Sequence, residues 1–198
     1  MVKYSKITKV FQLSLVIIFI LVLLGLFVPQ QFQNISFYLK NLLTTSVGWF
    51  YLLLVTGILI FCVFLIVSPI GQIRLGNPTS RPEHSTTSWI AMMFSAGMGI
   101  GLVFYGAAEP LSHFAISTPN AEIGSADALA DAFRFTFFHW GFHAWAVYAL
   151  VGLSLAYFGF RKREKYQLSV VFKPLFGKYA DGPIATIIDT ITIIATVI

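Results

Sequence analysis

Charge is what this sequence has least of. Asp, Glu, Lys and Arg make up 11% of its 198 residues, against 57% hydrophobic. Soluble domains carry about 25% charged residues, so water is not this chain's main solvent. Cysteine is nearly missing too. The lone Cys62 lies inside an apolar run, so it says nothing about disulfides or redox compartment. Acidic residues number 8 against 13 basic ones, a net charge of +5. A nucleic-acid reader would need that excess on a folded soluble face, and this composition leaves none.

Long apolar runs fill the sequence instead. Crossing about 30 Å of hydrocarbon takes about 20 apolar residues, and windows of that kind cover 10–28, 49–67, 89–108 and 135–160. A fifth begins at Ile184 after "DGP" and is still apolar at Ile198, so the sequence reads as a piece of a longer membrane protein. Lys3, Lys6 and Lys9 before the first window also suit a signal peptide, but the run is long for one. The following "VPQQFQN" offers no small-residue cleavage site, and the window is read as a retained helix.

Basic residues orient the spans. Lysines at the N-terminus, Arg74 and Arg81 at 69–88, and "RKREK" at 161–165 with Lys173 and Lys178 alternate with segments poor in them. Segment 29–48 holds only Lys40, and 109–131 holds Glu109, Glu122, Asp127 and Asp131 with no Lys or Arg. The alternation predicts a cytoplasmic N-terminus over 1–9, two spans within 10–68 and a cytoplasmic loop at 69–88. Three more spans follow within 89–198, giving five crossings.

The third window holds "AGMGIGLVFYGAAEP" at residues 96–110. Each interior glycine costs a helix about 1 kcal/mol relative to alanine. Gly97 and Gly101 have the spacing of a close-packed helix face. Gly99 lies about 200° away from both, so no single face uses all three. Either two of them pack against a neighbour, or the helix opens at 97–101. Opened backbone at mid-bilayer must line a protein-enclosed cavity, and secondary transporters build substrate and ion sites this way. Glu109 and Pro110 are expected to mark the outer end, where proline stops the helix and the carboxylate meets water.

The fourth window reads "FTFFHWGFHAWAVYALVGL". On one regular helix Phe137, Tyr148 and Trp145 lie at about 60°, 80° and 140° from Trp140, a single aromatic face. Such a face either packs or meets lipid, or it receives a cation that cannot donate hydrogen bonds. A quaternary ammonium has only dispersion and cation–π attraction to offer, about 0.5–1 kcal/mol per exposed ring face and 2 or more when desolvated. His139 and His143 sit at metal-binding spacing, but no third ligand is evident, and they are read as polar packing or interface residues.

The stretches "RLGNPTSRPEHSTTSWIAMMFSAGMGIGLVFYGAAEPL", Arg74 to Leu111, and "FHWGFHAWAVYALVGLSLAYF", Phe138 to Phe158, resemble the betaine/carnitine/choline transporter family, its glycine betaine carriers above all. The resemblance implies an all-α integral membrane protein with a leucine-transporter-like inverted-repeat fold. This sequence would hold two peripheral helices and the first three helices of the first repeat, with the second repeat absent. It further implies an unwound segment at Gly97, Met98, Gly99, Ile100 and Gly101 lying against the substrate. An aromatic box of Trp140, Trp145 and Tyr148 would hold the trimethylammonium group.

Sodium ligands carried over by the resemblance are the backbone around Ser95 and Met98, and the hydroxyl of Thr196. Asp189, Thr192 and Thr196 also share one sector of the fifth window, a polar stripe expected to face inward; bonding of the threonines back to their own helix stays equally open. Gly101 resembles the betaine form of the motif, where choline carriers often place aspartate. The physical reason is that betaine brings its own carboxylate for backbone N–H groups to bind.

The implied function is Na⁺-coupled symport of glycine betaine or a related methylated zwitterion into a bacterial cell, for osmotic protection. A homotrimer in the plasma membrane is implied as well, with Na⁺ as coupling ion and no cofactor. The alternatives are a proton-coupled or ion-independent choline or carnitine carrier of the same fold, and a non-transporting membrane scaffold. No bond chemistry is expected: Glu109 and Asp189 fall on different helices, near opposite sides of the membrane.

Overall fold

The computed structural model describes residues 7–77, 79–98, 101–116, 118 and 120–197, and every regular element among them is a helix. The chain divides into two compact units, Met1–Leu54 with Arg74–Gly76 and Val151–Ile198, and Val55–Ile73 with Asn77–Leu150.

Helix α1 spans Lys9–Phe27, and the Thr8 hydroxyl caps it by accepting the Phe11 N–H at 3.2 Å. Helix α2 runs unbroken over Pro29–Val67, although a loop is expected at 29–48 from the sequence. Proline at the first position suits a helix start, and no Gly or Pro occurs from 30 to 47 to end it. At about 1.5 Å per residue the helix is about 58 Å long, near twice the hydrocarbon thickness. The polar first half therefore reaches beyond the bilayer, and the hydroxyls of Ser36 and Thr44 donate back to the carbonyls of Phe32 and Lys40.

Among the described residues, three helical runs are long and apolar enough to cross a membrane: Lys9–Phe27, Pro29–Val67 and Ala126–Arg161. Their large apolar side chains point outward, with Ile66 80% and Phe142 81% exposed. Outward apolar surface is what a bilayer asks of a spanning helix, since lipid tails are as apolar as leucine. The other two expected spans are described only in part. The third window is divided between α3, Thr86–Met98, and a π-wound turn at Gly101–Tyr105. The fifth is a helix of 15 residues, Pro183–Val197.

Two further expectations are corrected. Pro110 does not stop its helix: α4 continues over Gly106–Ala115 with Pro110 inside. The one backbone bond Pro110 removes would run from its nitrogen to the Gly106 carbonyl, so the loss falls at the first turn of α4 and the later turns keep their bonds. Nor is the fourth window one helix. Helix α5 spans Ala126–His139, Trp140 caps it, and α6 restarts at Phe142–Ala156. The break sits on Gly141, where a Cβ would run into the Phe137 carbonyl oxygen. Only glycine lets the chain turn there. Helix α5 packs on α4, and its Ala128 and Ala132 are buried.

In the other unit the short helices α7, Leu168–Val171, and α8, Lys173–Phe176, precede α9, Pro183–Val197. Lys173 pairs with Glu164 at 3.0 Å and with Asp181 at 3.3 Å. The hydrogen bond to Glu164, then that to Asp181, holds its ammonium above the usual lysine range. Asp189 on α9 is buried and accepts two hydrogen bonds from Ser169, from the backbone N–H at 3.0 Å and the hydroxyl at 2.9 Å. Losing both leaves buried donors unpaired, at about 1–3 kcal/mol. Asp189→Ala in the full-length protein is therefore expected to lower the thermal unfolding midpoint clearly, with Asp189→Asn less affected. An unchanged midpoint in Asp189→Ala contradicts this role.

Candidate functional site

The expected site residues fall into three groups. Gly97 and Met98 close helix α3, so the regular helix reaches further into the glycine cluster than the sequence suggests. Gly99 and Ile100 lie outside the described residues. From Gly101 the backbone is π-wound to Tyr105. Such a turn widens the hydrogen-bond ladder, and π-bulges recur at functional sites.

Gly101 and Trp140 come together. A Cβ built on Gly101 would lie 2.9 Å from Cζ3 of the Trp140 indole. No side chain fits there unless the ring moves, so the glycine and the tryptophan are one steric unit. The Trp140 ring also faces Tyr105, with centroids 6.2 Å apart and planes 32° from parallel.

Trp145 and Tyr148 form the third group, on α6, with ring centroids 5.7 Å apart. They remain 44% and 72% exposed. The break at Gly141 invalidates the single-helix projection from Trp140 to Tyr148. Phe137 thereby belongs to α5, where it stacks on Phe133 at 6.1 Å. The two sides of the break are nevertheless tied, because the Trp145 indole N–H donates to the Trp140 carbonyl at 3.1 Å.

A cleft of about 850 Å³ opens beside Trp140, with Tyr105, Glu109, His113, Phe138 and His139 among its lining residues. Glu109 is its one carboxylate. One oxygen accepts the Trp140 indole N–H at 2.7 Å, and the other lies 2.7 Å from His139 Nδ1. His113, one turn along α4, brings Nε2 to 3.6 Å of the same carboxylate. Sequence reasoning placed Glu109 in water and His139 in packing. The missed signal is the spacing of Tyr105, Glu109 and His113 at successive helical turns, a polar face along an apolar segment. His143 instead approaches the Thr56 hydroxyl at 3.4 Å.

Of the residues expected to bind sodium, Ser95 and Met98 lie at the end of one helix and Thr196 on another. Ser95 is exposed on α3, where Met98 is the last residue. Thr196 is exposed on α9, and its hydroxyl donates to the Thr192 carbonyl at 2.8 Å, as Thr192 does to Ile188. Among the described residues no three His, Cys, Asp or Glu side chains gather as a metal site.

Residues 9–198 match the betaine/carnitine/choline family of transporters. The chain belongs to that family. It is similar to the glycine betaine transporter OpuD of Bacillus subtilis, 51% identical over 98% of this chain and 38% of the relative. It is also similar to an ectoine/hydroxyectoine transporter of Virgibacillus pantothenticus, 42% identical over 95% of this chain and 37% of the relative. A glycine betaine transporter of Acinetobacter baylyi is 42% identical over 96% of this chain and 28% of its own length. The chain thus spans less than two fifths of the length of these curated relatives. The family is one of membrane transporters, not enzymes, and the all-helical, apolar-surfaced structure agrees with it.

The contact between Gly101 and Trp140 makes a direct prediction. Gly101→Ala is expected to displace the indole and shift its fluorescence emission. The same substitution in a Trp140→Phe background is expected to leave the remaining emission unchanged. Equal spectra for Gly101→Ala and the parent protein contradict the contact.

Proposed function

We propose that this chain carries part of the substrate grip of a glycine betaine importer, coupled to Na⁺ and serving osmotic protection. The observation that carries the reading is the Gly101 backbone meeting the Trp140 ring, with Trp145 tied to the same break and paired with Tyr148. A π-wound backbone supplies polar groups for the substrate carboxylate, as at the opened helices of other carriers. Ring faces supply attraction for the methylated cation, which offers no hydrogen-bond donor. Glycine betaine carries both ends in one molecule, and the names of two similar relatives point to the same solute.

In this reading Trp140, Trp145 and Tyr148 face the trimethylammonium group, and the backbone over 97–101 faces the carboxylate. Backbone oxygens near Ser95 and Met98 supply one sodium site, and Thr196 contributes to another. The Thr196 hydroxyl spends its proton on Thr192, which leaves its oxygen lone pairs available to a cation. The N-terminus lies in the cytoplasm of a bacterial cell, and the assembly is a homotrimer in the plasma membrane. A second reading widens the substrate to other methylated or cyclic zwitterions, favoured by the similarity to an ectoine carrier.

Trp140→Ala or Trp145→Ala in the full-length protein is expected to weaken glycine betaine binding by about 1–2 kcal/mol or more per ring. Titration calorimetry with purified protein measures it. Unaltered affinity in both variants overturns the reading.

A further inference from the structure

Trp140 caps α5 at the break before α6, so only the last turn of α5 adjoins it. The ring also meets Gly101 on one side, the Tyr105 and His139 rings near it, and Glu109 at its polar edge. The carboxylate is itself held. Its side chain is only 12% exposed, and His139 and His113 face it from α5 and from its own helix.

We propose that Glu109 is a positioning residue for the aromatic cage: by accepting the Trp140 indole N–H it sets the ring on Gly101 and enriches the ring face that meets the cationic head of the substrate. The proposal rests on the reading of Trp140 as a cage wall. Two physical steps carry it. A charged acceptor makes a hydrogen bond about twice as strong as a neutral one, and the 2.7 Å separation is typical of such a bond. A hydrogen bond also polarises its donor. Electron density drawn away from the N–H proton shifts into the indole π-system, the part of the ring that attracts a cation.

A plain staple between α4 and α5 is the competing role for this bond. The helices also adjoin each other apart from this bond. The two roles also differ in what they couple. A staple acts on folding alone, whereas a positioning group acts on affinity and only through the indole N–H.

A double-mutant cycle in the full-length protein separates them, with glycine betaine affinity measured by calorimetry and thermal unfolding recorded alongside. Glu109→Gln retains an acceptor but loses the charge, and is expected to weaken binding about fivefold with little change in unfolding. Glu109→Ala loses both and is expected to weaken it further. Trp140→Phe keeps a ring but has no N–H to donate. In that background Glu109→Gln is expected to cost no more than about twofold, whereas in a Tyr148→Phe background its full effect persists. The proposal is overturned if Glu109→Gln leaves affinity unchanged, or costs as much in the Trp140→Phe background as in the parent. If Glu109→Gln fails to fold, Trp140→Phe in the parent decides: a loss of at least a few-fold supports the proposal, and none overturns it. Unchanged affinity in Trp140→Ala is a different failure, that of the cage reading itself.

Discussion

One indole organises the site. The Trp140 ring lies against a backbone that has no side chain at Gly101, and its N–H is held by Glu109. Each contact requires the other. With any larger residue at 101 the ring has no seat, and without an acceptor at 109 its polar edge faces a largely apolar surrounding. The ring sits at a helix break because the helix must end for it to turn toward α4, and Gly141 supplies the end. Three residues of ordinary type thus fix one another across two helices and a π turn.

The bilayer explains why such an arrangement is stable. In hydrocarbon every backbone N–H and C=O must find a partner inside the protein, at several kcal/mol for each failure. A π turn widens the ladder without abandoning it, which suits a membrane helix better than full unwinding. Glu109 obeys the same constraint at the level of side chains. An unpaired carboxylate at the edge of a span is costly, and one surrounded by an indole N–H and two imidazoles is not.

Much of this was legible in the sequence, and the reasons for the rest are specific. Three of the apolar windows fall on helical runs long and apolar enough to cross a membrane, because hydropathy measures the solvent directly. Helix ends were harder. Hydropathy placed a span at 49–67, but the same helix extends back to Pro29 because nothing in its polar half breaks it. Trp140, Trp145 and Tyr148 were found as an aromatic group, yet their geometry was derived from a regular helix that Gly141 interrupts. The glycine cluster signalled irregular backbone, with α3 persisting through Met98 and the π turn starting at Gly101. Glu109 was misread because Pro110 suggested a helix end and hence water. Pro110 instead lies inside α4, and the carboxylate lines the cleft.

The central claim, that the Trp140 ring face meets the methylated head of a zwitterion, is tested most directly by its own emission. A full-length protein with Trp140 as sole tryptophan would be titrated with glycine betaine and, separately, with glycine, which carries the same carboxylate but no methyl groups. The account predicts a saturable change with betaine and none with glycine. Emission that ignores both solutes, or answers them equally, would contradict it.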